Sequence, residues 1–152
     1  MKDEIRSNVE VEAIHTFSEL KKIRDQFVVG HNGFKIPFLI VIGDRGLSKS
    51  HMFKNIPGTC YIDTAASAVG LYAEAFKHLD EPLILDDIDA LLKQPDVVSL
   101  LKALGDIREV KEVTWMKLTS ALQNLKVPNR YTTKSRLCIL CNEFPRVSKN
   151  LE

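Results

Sequence analysis

A loop between an apolar run and a lysine–serine pair contains the residues whose types and spacing best suit chemistry. The run Phe38–Ile42 is rich in β-branched residues, which predicts a fully buried strand. Two glycines follow it, and then Lys49 and Ser50. In such a loop, backbone N–H groups cradle phosphate oxygens, helped by the dipole of the following helix. The lysine reaches the outer phosphates and the hydroxyl binds Mg²⁺. The stretch therefore predicts a phosphate-binding loop.

The loop departs from the pattern G-x-x-x-x-G-K-[ST] at one position. Gly43, Lys49 and Ser50 match it, but residue 48 is serine instead of glycine. Glycine at that position would let the backbone approach a ligand at no steric cost. We predict that the whole segment binds nucleotide, namely Gly43, Asp44, Arg45, Gly46, Leu47, Ser48, Lys49, Ser50 and His51.

Useful side chains also follow two other predicted strands. Asp86 and Asp87 end one apolar run, and Asn142 ends another. In open α/β sheets, ligands bind beyond the carboxyl ends of the strands. Asp86 could hold Mg²⁺, directly or through water, and Asp87 could accept a proton from an attacking water. Asn142 could orient that water.

Each of these residues also has a purely structural interpretation. The acidic run that includes Asp89 could cap the next helix, where negative charge favours the helix dipole. We expect that role for Asp89 and the metal or base roles for Asp86 and Asp87. Asn142 could equally be a turn residue after its strand.

A segment rich in positive charge precedes the last strand. Residues 113–136 contain no acidic residue, and Trp115 and Tyr131 within them could stack on bases. The alternative is a solvated basic face with Trp115 in the core. The candidate nucleic-acid-binding residues are Lys117, Lys126, Arg130, Lys134 and Arg136. Three further arginines could contact phosphate, in this chain or in a neighbouring subunit, namely Arg45, Arg108 and Arg146.

Strand and helix signals alternate along the chain, which predicts an α/β fold. We expect a mostly parallel sheet covered by helices on both faces. The predicted strands are 38–42, 59–63, 83–85 and 136–141, and Val9 and Val11 could add an edge strand. The predicted helices start at Thr16, after Lys49 (a short one), and at 65–79, 97–104 and 118–125. Residues 105–117 read as mixed and charged, 128–135 as a basic connector and 143–152 as a tail.

Length and composition indicate one globular domain. The chain has 152 residues, 45% of them apolar and 27% charged, with a net charge of +1. The charged N-terminus has no apolar signal segment, and no apolar run approaches the ~20 residues needed to cross a bilayer. We therefore expect a cytoplasmic protein with no membrane partner.

The cysteines do not predict a disulfide framework. There are three of them, and Cys138 and Cys141 form a C-x-x-C inside an apolar run. In a strand, residues three apart point to opposite faces. Because there is no second pair and no nearby histidine, core packing is favoured over metal or redox use.

Together these motifs resemble the AAA+ ATPases. The loop Gly43–Ser50 resembles their Walker A motif, Asp86-Asp87 resembles Walker B, and Asn142 resembles the sensor-1 asparagine. The sequence looks most like the minichromosome maintenance-type helicases and the replicative helicases of mobile elements. Minichromosome maintenance proteins also have a small non-glycine residue before the lysine, as Ser48 is here. The resemblance covers roughly residues 36–144.

The resemblance implies a P-loop ATPase core with ATP and Mg²⁺ as cofactors. Lys49, Asp87 and Asn142 would be catalytic, and Ser50 and Asp86 would hold the metal. It also implies a helicase motor in DNA replication that acts on single-stranded or forked DNA, in a homo-oligomeric ring. The chain would be a single domain with an N-terminal helical extension (1–35), the nucleotide-binding core (36–144) and a tail (145–152).

The sequence departs from that family in ways that keep other functions open. Asp87 stands where the family has glutamate, and the helix after the loop is short. We also expect no fifth strand, no firm arginine finger and no helical lid in this sequence. The chain would then be a fragment of a larger helicase or a reduced module. The alternatives are a helicase-loader or initiator-type nucleotide-binding adaptor without unwinding activity, and a P-loop fold with a decayed site.

Overall fold

The computed structural model describes residues 12–44, 48–63, 67–115, 117 and 120–143. Its strands are β1 (Phe38–Ile42), β2 (Cys60–Asp63), β3 (Leu83–Asp86), β4 (Lys111–Thr114), β5 (Arg130–Thr133) and β6 (Leu137–Cys141). Its α-helices are α1 (Phe17–Val28), α2 (Lys49–Phe53), α3 (Ala68–Phe76), α4 (Pro95–Leu104) and α5 (Ser120–Leu125), with a 3₁₀ helix at Leu91–Lys93. The edge strand predicted around Val9 and Val11 and the tail from residue 144 lie outside the described residues.

Four of the strands form a parallel sheet in the order β1-β6-β3-β2. The strand β6, the last of the described strands, lies between β1 and β3, so that Ile139 is opposite Ile40 on one side and Leu85 on the other. Because the strands are parallel, their carboxyl ends meet at one edge of the sheet. The predicted α/β fold is confirmed.

Helices cover both faces of this sheet, as predicted. Successive residues of a strand point to opposite faces, so Leu83 and Leu85 pack in one apolar cluster and Ile84 in another. The first cluster contains side chains of α3 and α4, whereas the second contains Leu20 and Phe27 of α1. The helix α1, assigned from sequence to an N-terminal extension, is therefore part of the same core. None of the helices in the described ranges is long and apolar enough to span a membrane.

The two cysteines of the C-x-x-C separate as the strand prediction requires. Cys138 packs in the cluster of α1, and Cys141 packs in the cluster of α3 and α4. Both are buried free thiols. Burial raises the pKa of each, which keeps them protonated and unreactive. The core-packing interpretation holds.

The strand β1 is less buried than predicted. It lies at one edge of the four-stranded sheet, its first four residues are only partly buried, and Ile42 is 55% exposed. An apolar, β-branched run identifies a strand, but it does not reveal how many neighbours the strand has. The prediction of full burial was wrong for that reason.

A second, two-stranded sheet was missed from the sequence. The strands β4 and β5 pair antiparallel, with Val113 opposite Tyr131, in segments predicted as a mixed-charge stretch and a connector. Their buried positions alternate with exposed ones, but Lys111 and Thr133 are among the buried ones. Polar residues at inward positions remove the apolar alternation that marks a strand.

This small sheet puts two aromatic residues in the core. Trp115 and Tyr131 are buried, and their ring centroids lie 5.4 and 4.9 Å from that of Tyr72 in α3. The Tyr131 hydroxyl donates to the backbone carbonyl of Tyr72 at 3.0 Å. Such tilted ring pairs are typical of aromatic cores. Stacking of nucleic-acid bases on Trp115 and Tyr131 is therefore excluded in this conformation, in favour of the core alternative.

Lys111 buries an ammonium group at the end of α4. Its Nζ donates to the carbonyl of Leu104, the last residue of that helix, and to the carbonyl of Asp106 at 3.3 Å. Cations are favourable at the carboxyl end of a helix. Burial nevertheless lowers the pKa of Lys111 to about 8, partly offset by the charge of Asp106.

Replacing Lys111 with methionine should change how stability depends on pH. The pKa of Lys111 falls from its ordinary value of 10.5 to about 8 in the folded protein, so the unfolded chain binds more protons between these values. The free energy of unfolding of the wild type, relative to Lys111→Met, should therefore rise with pH across that window, by on the order of 1–2 kcal/mol after solvent screening. Urea unfolding of both proteins at neutral pH and at pH ~10 measures this. If the difference in the free energy of unfolding between the two proteins is the same at both pH values, the lowered pKa of Lys111 is contradicted.

Candidate functional site

A groove of about 610 Å³ lies at the carboxyl edge of the parallel sheet. It is lined by residues that follow β1 and β6 and by residues at the ends of β2 and β3. The three strand ends predicted to carry the site, those of β1, β3 and β6, therefore converge. The lining residues are Ser48, Lys49, Ser50, His51, Lys54, Tyr61, Asp63, Asp86, Asp87, Leu140 and Asn142. Of the other predicted site residues, Arg45, Gly46, Leu47 and Arg146 lie outside the described residues.

The lysine of the loop sits at the centre of this convergence. Its Nζ donates to the backbone carbonyls of Gly43 at 2.5 Å and Asp44 at 2.9 Å, and to Oδ1 of Asn142 at 3.4 Å. An ammonium has three N–H donors, so these acceptors match its full capacity. The third contact joins residues 93 positions apart in sequence. The predicted loop and the predicted sensor residue are thus direct neighbours.

The helix that presents Lys49 is short, and contacts with α1 hold it in place. Phe53 at its end is fully buried in the cluster of α1, and Nη1 of Arg24 in α1 donates to the carbonyl of Met52 at 2.9 Å. The predicted short helix is confirmed as Lys49–Phe53. A helix of this length has little dipole of its own, so the polar side chains of the groove provide most of its chemistry.

Asp89 supports the side chain of Asn142. The Nδ2 group of Asn142 donates to Oδ2 of Asp89 at 3.3 Å, while its Oδ1 faces Lys49. The nearby 3₁₀ helix has no side-chain cap hydrogen bond, so the capping role expected for Asp89 was wrong. The second carboxylate oxygen of Asp89 is buried and has no hydrogen-bond partner within the described ranges. Such an acceptor is suited to a water or a ligand group.

Asp86 is the buried carboxylate of the groove. It ends β3 and is 8% exposed, and the Tyr61 hydroxyl of the neighbouring strand donates to its Oδ2. Burial and the negative charges of Asp86 and Asp63 raise the pKa of Tyr61, which keeps the phenol protonated as a donor. Asp63 ends β2 directly opposite Asp86. Sequence reasoning missed Tyr61 and Asp63, although both belong to a strand that ends at the same edge.

Two residues of the groove have left-handed backbone conformations. Ser48 has a φ of 60° and Asp87 a φ of 52°. The turn at Asp87 takes the chain out of β3 and leaves this residue exposed on the groove wall. A left-handed φ is unfavourable for Ser48 and Asp87, since glycine alone adopts it freely.

The donors of the groove fit both a phosphate chain and Mg²⁺. Lys49 and Lys54 offer positive charge, whereas Asp63, Asp86 and Asp87 with the hydroxyl of Ser50 offer oxygen ligands. Mg²⁺ prefers oxygen ligands, one or two carboxylates together with phosphate and water. The chemistry of this donor set therefore matches the predicted metal residues, Ser50 and Asp86.

Three of the five predicted nucleic-acid-binding residues have partners within the protein. Lys117 pairs with Asp96 at 2.6 Å, and Arg130 pairs with Glu112 at 3.3 Å. Arg136 turns inward, where its guanidinium lies 5.0 Å from the ring of Phe27 and donates to the carbonyl of Val28. Lys134 and Arg136 precede β6, so they lie at the edge of the sheet opposite the groove. Lys126 and Lys134 are exposed.

Arg108, a candidate for phosphate contact, is also paired. Its guanidinium binds the Asp106 carboxylate through Nη2 at 2.5 Å and Nε at 3.0 Å. This pairing lowers the pKa of Asp106 and raises that of Arg108. Arg108 would have to leave Asp106 to reach a phosphate.

Comparisons with protein-family models, with curated proteins and with solved structures found no match to this chain. Function is therefore inferred from the groove itself, from the positions of Lys49, Asn142 and the carboxylates at the sheet edge.

Replacing Ser48 with glycine should stabilise the fold. A left-handed φ costs a non-glycine residue about 1–2 kcal/mol, and the extra flexibility of glycine in the unfolded chain offsets about 0.5–1 kcal/mol of the gain. We expect Ser48→Gly to raise the free energy of unfolding by about 0.5–1 kcal/mol, measured by urea unfolding. The control is Ser48→Ala, which keeps the strain and removes no capping bond. A glycine variant no more stable than the alanine variant would contradict the strain.

Proposed function

We propose that this chain binds Mg·ATP in the carboxyl-edge groove and is an AAA+-like P-loop ATPase core. The main support is the contact between Lys49 and Asn142 beside Asp86, which joins three neighbouring strand ends in one groove. The sequence predicts a role toward the same ligand for each of these residues. A parallel sheet brings its strand ends to one edge in any case, so the support lies in the direct contact between Lys49 and Asn142.

Lys49 would bind the β- and γ-phosphates. Its present acceptors are two neutral backbone carbonyls and an amide oxygen. A negatively charged phosphate attracts the ammonium by a net Coulomb interaction that these neutral acceptors do not provide. An entering nucleotide would therefore replace the carbonyls of Gly43 and Asp44, and the loop from Gly43 to His51 would surround the phosphates.

Ser50 and Asp86 are the residues that would hold Mg²⁺. When bound, the ion neutralises negative charge that develops on the phosphate oxygens. Tyr61 fixes one oxygen of Asp86 and leaves the other for the metal or its water. Partners that orient a ligand in this way are as much part of a metal site as the ligands themselves.

Asp87 and Asn142 would act on the attacking water. Asp87 would accept a proton from the water while the water oxygen forms a bond to the γ-phosphorus and the bond from that phosphorus to ADP breaks. Asn142, held by Asp89, would orient that water between the phosphate and the base. Hydrolysis would drive the unwinding or remodelling of single-stranded or forked DNA, by a ring of several copies, in replication of a chromosome or mobile element.

A second function is a nucleotide-binding adaptor, such as a helicase loader or initiator, without unwinding activity. Two observations favour it. The Asp87 carboxylate is one methylene shorter than the glutamate of related ATPases and sits on a left-handed turn. The basic residues that would track DNA are partly neutralised by Asp96 and Glu112.

Isothermal titration of Mg·ATP tests the binding site. The wild type should release measurable heat, and Lys49→Ala should bind more than about tenfold more weakly, because a charge-assisted hydrogen bond contributes about 1.5–3 kcal/mol. The matched control is Lys102→Ala, an exposed lysine of α4 away from the groove, which should bind like the wild type. Equal, negligible heats from all three proteins would refute the proposal and leave the decayed-site alternative.

Steady-state ATPase assays with and without single-stranded DNA separate the motor from the adaptor. For a motor, DNA should stimulate turnover, and Asp87→Asn should reduce turnover by at least about 100-fold while ATP binding persists, because it removes the base. For an adaptor, the wild type should bind ATP without turnover, and Asp87→Asn should change nothing measurable.

A further inference from the structure

A group of three different metal-binding side chains lies at the edge of the sheet opposite the groove. Cys60 begins β2, Glu74 is in α3, and His78 lies just beyond the end of that helix, four positions after Glu74. One ligand atom from each lies within 4.8 Å of the other two. Cys60 is buried and the other two residues are partly exposed. The cluster therefore lies near the surface, with the cysteine on its inner side.

A second carboxylate fixes the histidine of this cluster. The Nδ1 atom of His78 lies 3.0 Å from Oε1 of Glu81, while its Nε2 lies 3.5 Å from Oε1 of Glu74. If Nδ1 donates its proton to Glu81, then Nε2 carries a lone pair directed toward Glu74. A carboxylate–histidine pair of this kind orients the ring and sets its tautomer in metal sites.

We propose that Cys60, Glu74 and His78 form a binding site for a divalent metal of the zinc class, with Glu81 as the positioning residue for His78. Thiolate and imidazole ligands select zinc-like ions, and a carboxylate completes a three-ligand set with one position open to water. The cluster differs in this respect from the oxygen ligands of the groove, which suit Mg²⁺.

Metal binding requires the three ligand atoms to move slightly closer together and the Cys60 thiol to lose its proton. Zinc–ligand bonds of about 2.0–2.3 Å place tetrahedral ligand atoms roughly 3.3–3.8 Å apart. The side chains of Glu74 and His78, 41% and 28% exposed, can move this far without disturbing the core. Zinc-class ions bind the thiolate, so the Cys60 thiol gives its proton to solvent as the dication binds. The thiolate and the Glu74 carboxylate then balance the two positive charges.

The plainer interpretation is a set of local ion pairs at the end of α3. His78 can pair with Glu74 and Glu81, and Lys77 lies 3.6 Å from Glu74. Such exposed pairs contribute at most about 1 kcal/mol, and Cys60 would then only pack in the apolar cluster of Leu83 and Leu85. The metal site differs from these ion pairs in one testable respect, which is that the Cys60 sulfur, within 4.8 Å of the Glu74 and His78 ligand atoms, must bind the ion.

Cobalt substitution tests the proposal directly. The metal-free protein is titrated with Co²⁺ and then with Zn²⁺. We expect a thiolate-to-cobalt charge-transfer band in the near ultraviolet, with visible bands of a tetrahedral ion, both removed by excess Zn²⁺. Cys60→Ser should abolish the charge-transfer band, and His78→Gln should weaken Co²⁺ binding more than about 100-fold. The matched controls are Cys138→Ala and His31→Gln, which change the same residue types elsewhere and should titrate like the wild type.

Glu81→Gln separates the positioning role from that of a ligand. It should retain the charge-transfer band and weaken binding about 10- to 100-fold. If Co²⁺ gives no charge-transfer band with folded wild type, or if Cys60→Ser keeps it, the proposal is wrong. Should Cys60→Ser fail to fold, Glu74→Gln on the more exposed side of the cluster must still weaken binding. Binding of Mg·ATP should be the same in all of these variants, so failure here would not bear on the nucleotide site.

Discussion

The backbone pairing of β6 with both β1 and β3 is the constraint on which the rest of the structure depends. It inserts the last of the described strands between two earlier ones, with registers that align all three strand ends. The amide of Gly43 continues this pairing by donating to the carbonyl of Cys141 at 3.1 Å. The loop after β1 is thereby fixed beside the end of β6. Residues from distant parts of the sequence meet because of this pairing, and local helix or turn preferences contribute little to it.

The electrostatics of the groove follow from that arrangement. Lys49 lies on one side, held by carbonyl oxygens, while Asp86 lies on the other, held by Tyr61. Asn142 stands between the loop and Asp89, and it contacts both. Separated charges of this kind can bind an anionic chain and its counter-cation at the same time. The same parallel sheet places the Cys60 cluster at its other edge, so the two proposed sites have different ligand chemistry and share no residue.

Much of the sheet and the groove could be predicted from the sequence, because apolar runs mark parallel strands and their ends mark the site edge. Asp86, Asn142 and Lys49 were identified in this way. The contacts that support them could not be predicted. Asp89 reaches Asn142 and Tyr61 reaches Asp86 only because β6 and β2 each pair with β3 in one particular register.

The strands β4 and β5 were missed because Lys111 and Thr133 point inward. The exposure of β1 depends on its neighbours rather than on its own residues. The aromatic residues Trp115 and Tyr131 have ordinary core roles that spacing alone left undecided.

The central claim is that Lys49 belongs to a phosphate-binding site and exchanges its backbone carbonyl acceptors for phosphate oxygens when nucleotide binds. A crystal structure of the protein with Mg²⁺ and a non-hydrolysable ATP analogue tests this most directly. The account predicts phosphate oxygens within hydrogen-bonding distance of Lys49 Nζ, released from the carbonyls of Gly43 and Asp44, with Mg²⁺ beside Ser50 and Asp86. Nucleotide bound elsewhere, or Lys49 still hydrogen-bonded to both carbonyls beneath a bound nucleotide, would contradict it.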